Sequence, residues 1–169
     1  MSAASGSYQA SVDQNVVRIW ENSALGIDKL TSMQTGAETV TETQLDLKAG
    51  RVTGNVRKMS AASKYEIKLP NGVAGIRGTL YDIYAEGIVK IFVGSAVAAA
   101  VDAKTGNVTT QTVMGGQQYD MRTNQLTPIS QSDMSDLASL AGILKPVESV
   151  APTVLASDKT IVMTTTPIK

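Results

Sequence analysis

Turn-forming residues recur at roughly ten-residue intervals along this chain, and between them apolar and polar side chains alternate one for one. The clearest case is Lys64–Leu69: Tyr65, Ile67 and Leu69 fall on one face, Lys64, Glu66 and Lys68 on the other. A period of two is that of a β-strand with one face buried. Pro70-Asn71-Gly72 then stops the strand with strong turn chemistry. Valine (17 residues) and threonine (18 residues) are abundant, and both favour strands because branching at Cβ stiffens the side chain.

The same pattern is read along most of the chain. Val16–Trp20 is a strand with Val17 and Ile19 on one face, and Leu25–Leu30 a second. Leu45 and Leu47 alternate with polar neighbours before a turn at Ala49-Gly50, and Val52, Gly54 and Val56 alternate after it. Residues 31–43 have few apolar anchors and are expected to form a surface loop or an irregular edge strand. Thr79–Tyr84 and Ile88–Val93 are expected to be two strands joined at Glu86-Gly87. Ala96–Val101 and Val108–Met114 make a hairpin across Asp102–Asn107. Gln117–Met121 and Leu126–Ile129 complete the series.

One helix is expected over 131–145. Ser132 or Asp133 can cap it, and Met134, Leu137, Leu140, Ala141 and Leu144 form one apolar stripe suited to docking on the β core. The expected class is all-β: a β-sandwich-like or short β-solenoid domain, with one C-terminal amphipathic helix and an extended C-terminal strand. The expected division is an arm over 1–14, the β domain over 15–130, the helix over 131–145 and a tail over 146–169. In the tail, Pro146 and Pro152 favour extended chain. Thr160, Ile161, Val162, Met163 and Thr164 form an uncharged β-prone segment suited to a sheet edge in another copy or in its own domain.

Composition removes several kinds of chemistry. The chain has no histidine and no cysteine, so zinc, thiol and Ser-His-Asp enzymes are not expected of it acting alone. No cofactor and no metal site is expected. Asp102–Asn107 departs from a calcium loop because Lys104 stands at a ligand position. Gly75 and Gly78 open no phosphate loop, since no Lys-Ser/Thr follows. Lys+Arg and Asp+Glu number 15 each, a balance that disfavours nucleic acid as a partner. No apolar run reaches the length of a membrane span, and MSAASGS lacks the features of a signal peptide.

The strings Leu45-Asp46-Leu47-Lys48-Ala49-Gly50-Arg51-Val52 and Ser63–Thr79, which contains Pro70-Asn71-Gly72-Val73-Ala74-Gly75-Ile76-Arg77-Gly78-Thr79, resemble the FecR-domain family. The Gly94-Ser95 element between Ile91 and Val97 and the pair Gly116-Gln117 continue the likeness, which covers roughly residues 12–130. The resemblance implies an all-β module of the periplasm or cell surface. The family takes its name from regulators that relay an iron-siderophore signal to a sigma factor. Those regulators carry a membrane-spanning helix before the domain, and no such helix is read here, so relay across a membrane is not carried over.

From the residues themselves, Arg77 lies between apolar neighbours and is expected to be a buried strut, bonded to backbone carbonyls or to Asp82, Glu66 or Asp120. Pro70, Asn71, Gly72, Gly75, Gly78 and Thr79 are expected to serve structure around it. The leading functional expectation is a non-enzymatic, extracytoplasmic structural module that self-associates through strand or tail exchange, into a filament or surface layer. The alternative is a soluble ligand-sensing or signalling module of the periplasm.

Overall fold

A computed structural model describes residues 2–3, 7–12, 15–136 and 166–168, with side chains over 15–136. The strands, in chain order, are β1 (Ser2–Ala3), β2 (Ser7–Val12), β3 (Asn15–Ile19), β4 (Ser23–Thr35), β5 (Glu38–Ala49), β6 (Arg51–Asn55), β7 (Lys64–Leu69), β8 (Gly72–Tyr84), β9 (Ile88–Val101), β10 (Val108–Met114), β11 (Gln117–Asp120), β12 (Gln125–Pro128) and β13 (Thr166–Ile168). The chain is all-β, with helical residues at 131–136 the only helix among the described residues.

All these strands belong to one hydrogen-bonded sheet, and two long strands hold it together. Strands β8 and β9 pair along their whole length, from Gly72 opposite Ala100 to Tyr84 opposite Ile88. At one end of this hairpin β7 adds to β8 and β10 to β9. At the other end β6 adds to β8 and β11 to β9. The sheet therefore has two wings that share their central strands. The first runs β1-β4-β5-β7-β8-β9-β10, and the second β13-β2-β3-β6-β8-β9-β11-β12. All pairings are antiparallel except β5 with β7, which is parallel.

The junction between the wings is made by glycine. Register slips between Arg77 and Tyr81, where Gly78 (φ 62°) and Gly94 (φ 88°) take left-handed conformations. A Cβ on Gly94 would lie 2.2 Å from the Gly78 carbonyl oxygen, so neither the conformation nor the space admits a side chain. Thr79, buried at this bend, donates its hydroxyl proton to the Ser95 carbonyl at 2.7 Å. Its backbone also exchanges hydrogen bonds with Val56. One strand was expected on each side of Gly94-Ser95. The structure has one continuous, bent β9, because positive-φ glycine in a strand makes a bulge rather than an end.

Both wings contribute their inner faces to one core. It holds Leu45, Leu47, Tyr65, Ile67 and Ala98 from the first wing, and Ile19, Val52, Tyr81, Ile83, Val89 and Ile91 from the second. The Tyr65 and Tyr81 hydroxyls share a hydrogen bond of 3.2 Å at its centre. Burial pushes the Tyr65 and Tyr81 hydroxyls above the ordinary range. Gly54 lies opposite Tyr81 and yields its side-chain space to that ring.

Two expectations are corrected and one is narrowed. Of the two alternatives for residues 31–43, the edge strand holds and the loop does not: they form the outer half of the β4–β5 hairpin, with β4 at the sheet edge, Met33 opposite Val40 and a turn at Gly36-Ala37. They read as loop because residues 31–39 are exposed on both faces and carry no burial alternation. The helix cap is Ser130, whose Oγ accepts the Asp133 N–H at 3.2 Å; it is neither Ser132 nor Asp133. Arg77 is exposed, with its guanidinium bonded to the Ala61 carbonyl at 3.4 Å. It sits beside the bulge at Gly78, where the strand turns its side chain out of the core. The remaining helix positions from Leu137 onward, and Thr160, Ile161, Val162, Met163 and Thr164, lie outside the described residues. Of the tail, Thr166–Ile168 pairs antiparallel with Ser7–Gln9 of the same chain.

Candidate functional site

The second wing has a polar network on the face opposite the core. Cross-strand register builds it. On the outward face Arg18 of β3 lies opposite Thr53 of β6, Thr53 opposite Asp82 of β8, Asp82 opposite Lys90 of β9, and Lys90 opposite Gln118 of β11. Alternation along each strand adds Arg51 and Tyr84 to the same face, and Trp20 follows β3 directly.

The centre of the network is the Asp82 carboxylate, 3% exposed. Its Oδ1 accepts from Arg51 Nε at 2.8 Å and from the Thr53 hydroxyl at 2.9 Å. Thr53 Oγ1 in turn accepts the Trp20 indole N–H at 2.7 Å. The Arg51 guanidinium lies over Trp20 (4.2 Å) and Tyr84 (5.2 Å), and Arg18 also lies over Trp20 (4.4 Å). Burial works against the charge on Arg51, but Asp82 outweighs it, and the guanidinium titrates above its ordinary value. Arg18 is shifted down, by burial first and then by Arg51. The Tyr84 hydroxyl is pushed up to about 12, mainly by burial and then by the Asp82 charge.

Lys90 links the network to the segment after β12. Its Nζ is 3.0 Å from the Asp133 carboxylate and 5.4 Å over the Tyr84 ring. Asp133 sits in the first turn of the helix and also accepts the Ser130 hydroxyl at 2.7 Å. Ser130, then Lys90, holds its carboxyl below the ordinary range against the opposing pull of burial. A small apolar cluster of Phe92 and Ile129, with Trp20 and Leu80 packed on it, occupies the same face. This face is thus a second, mixed core under the β12–helix segment.

At its margin lies an open groove of about 470 Å³, lined by Trp20, Glu21, Asn22, Gly50, Arg51, Tyr84 and Glu86. Two backbone crossings shape it: Trp20 N–H donates to the Arg51 carbonyl and Ala85 N–H to the Gly50 carbonyl. The groove presents two aromatic side chains, one guanidinium and exposed carboxylates. That set suits contact with another protein or a polar ligand. Among the described residues no cluster of acidic side chains could hold a metal ion.

The residues singled out in the sequence fall elsewhere. Pro70 and Asn71 are the two-residue turn between β7 and β8. Gly72 passes within 2.2 Å, at its Cβ position, of the Ala99 carbonyl. Gly75 lies in β8, Gly78 and Thr79 form the bend, and Arg77 is on the surface. One link joins this string to the groove: Asn71 Nδ2 donates to the Glu86 carbonyl at 3.3 Å. The sequence reading passed over Thr53, gave Arg51 no role of its own and took Asp133 only as a candidate helix cap. The signal lay in Lys90 and Asp82, each a lone charge within an apolar strand.

No curated protein sequence matches the chain. Two crystal structures of a protein assigned as an anti-sigma factor from Parabacteroides distasonis ATCC 8503 are similar in fold, each with a TM-score of 0.56 at 12% identity. The similarity covers 84% of this chain and 64% of that one. At that identity the likeness is one of fold. Among helices of the described residues none is long and apolar enough to cross a membrane. The sequence profile described as FecR protein matches residues 2–96, more than half of the chain. The chain belongs to the FecR family.

Proposed function

We propose that this chain is an extracytoplasmic regulatory module that works by binding another protein, within a FecR-type signalling system. The observation that carries the reading is the family match over residues 2–96, joined to the fold likeness to an anti-sigma factor. The bent sheet serves as a sandwich-like scaffold with no chemistry of its own, and the periplasm or cell surface is its compartment. The groove beside Trp20, Arg51 and Tyr84 is its ligand or partner contact, because it combines stacking surfaces with fixed charge at the edge of a rigid network. The filament or surface layer expected from the sequence draws no support from the fold or from the comparisons.

Two measurements test the reading. In the cell that makes the chain, its removal shifts the transcripts of a discrete gene set controlled by one sigma factor. A reporter enzyme fused to the full-length gene product, active only after export, is active. An unchanged transcriptome overturns the regulatory role, and an inactive, stably expressed reporter overturns the compartment.

A further inference from the structure

Strand edges in natural sheets are guarded by charge, proline, bulges or shortness, because an open edge recruits other strands. Three edges here follow that rule. β4 carries Asp28 and Lys29 and two register irregularities. β12 is four residues long and ends in Pro128, and β13 contains Pro167. The fourth edge, β10, does not. Val108-Thr109-Thr110-Gln111-Thr112-Val113-Met114 contains no charge, no proline and no glycine, and it pairs without a slip to β9. Among the described residues nothing pairs with its other side. Val108 is 63% exposed and Met114 52% exposed.

Two side-chain contacts show which backbone groups face outward. Met114 N–H donates to Gln117 Oε1 at 2.9 Å, and the Thr112 carbonyl accepts Gln111 Nε2 at 2.8 Å. Glutamine amides thus stand in for a missing strand. Hydrogen-bonding direction alternates along an antiparallel strand, so Val108, Thr110, Thr112 and Met114 carry the edge groups.

We propose that β10 is a self-complementary docking edge, and that its occupant is β10 of a second copy of this chain, antiparallel, with Gln111 on the two-fold axis. The strand is close to a palindrome in residue type about Gln111. In this register Val108 faces Met114 of the second copy, and Thr110 faces Thr112. These are the residues with outward N–H and C=O groups, so they form the hydrogen-bonded pairs of the new ladder. β-Branched and Thr–Thr cross-strand pairs are favourable ones. No charge lies on the strand to oppose a like strand, and the chain has formal net charge zero. The neighbouring exposed Val101 and Val97 lie opposite Val108 and Thr112 in β9, so the apolar face runs on across the joint. The two-fold closes the assembly at two copies, unlike a filament, and leaves the groove beside Trp20 open.

Sedimentation velocity on the whole 169-residue chain tests this. The expected mass is about twice 17.7 kDa. The double variant Thr110→Lys/Thr112→Lys places like charges opposite one another and is expected at the single-chain mass, as is Thr110→Glu/Thr112→Glu. Both substituted sites, Thr110 and Thr112, are exposed, so circular dichroism stays as in the parent chain. Mixed one to one, the two variants restore the doubled mass. A parent chain at single-chain mass up to about 1 mM, the weak limit of useful affinity, overturns the proposal. So does a doubled mass that persists in each charged variant alone, or one lost only on deleting residues 147–169, which would place the contact in the tail.

Discussion

Asp82 and Arg77 show how differently two charged residues, five positions apart on β8, are held. Asp82 is buried and accepts two hydrogen bonds on one oxygen, one from Arg51 and one from Thr53. Arg51→Met leaves that carboxylate in place without its cation, a change that costs about 3–5 kcal/mol when the pair is buried. Arg51 keeps some contact with solvent, so the lower end of that range is the expected loss in urea denaturation. Arg51→Met with Asp82→Leu removes both partners and is expected to recover part of it. Arg77→Ala, by contrast, is expected to shift stability by less than about 0.5 kcal/mol, since its one bond is a long surface contact. The sequence around Arg77 suggested burial because Ile76 and Gly78 flank it. Position in a strand decides the matter, and the bulge at Gly78 was not legible as a bulge from glycine spacing alone.

The elements most readable in the sequence are those with one buried face. Lys64–Leu69 and the pair Val17/Ile19 were evident from alternation, and the hairpin from Ala96 to Met114 from its turn residues. The β4–β5 hairpin was not, because Thr, Ser, Gln and Glu occupy both of its faces beyond Lys29. The register that brings Arg51, Asp82, Tyr84 and Lys90 together was not legible either, since it depends on pairings between strands some thirty residues apart. The glycines of the shared hairpin make a contrast that tests its geometry. Gly94→Ala requires a non-glycine residue at φ 88° and a Cβ against a carbonyl oxygen. It is expected to cost at least about 1–3 kcal/mol from conformation alone. Gly75 has room for a methyl, its nearest neighbour being the Val97 oxygen at 3.7 Å. Gly75→Ala is expected to be neutral or stabilising by about 0.4–1 kcal/mol. Thermal melts of the two variants check both signs. The helix start offers a pH test. The folded carboxyl of Asp133 titrates below its ordinary 3.8, so its contribution is complete above that value and is lost as pH falls through and below it. The melting temperature should therefore fall on acidification from about pH 5 to 3. Asp133→Asn should flatten part of that fall while lowering the melting temperature at neutral pH.

At the scale of the molecule, the shared hairpin sets the order of stability. Leu80–Ile83 and Val89–Ile91 have strands on both sides and carry Tyr81, Ile83, Val89 and Ile91, all fully buried. No local opening can free their amides without parting both wings. Thr31–Thr39 form the opposite extreme: a two-stranded ribbon, exposed throughout, past the last β5–β7 pair at Glu42. An isolated two-stranded ribbon is marginal in water, so it opens without disturbing the core. Native-state hydrogen exchange should separate these regions. Amides of Tyr81, Ile83, Val89 and Ile91 are expected to exchange only through global unfolding, with a denaturant dependence equal to that of the whole transition. Hydrogen-bonded amides of Thr31–Thr39 are expected to exchange through small openings that hardly depend on denaturant. The Asp133 and Lys90 contact makes a third level, because the helix start rests on the second wing alone. Lys90→Met should loosen residues 131–136 and leave the exchange of Ile67 and Leu47 in the first wing unchanged at a given global stability. Equal protection in ribbon and hairpin would mean that the sheet unfolds as one unit, and that the bend at Gly78 and Gly94 does not divide it.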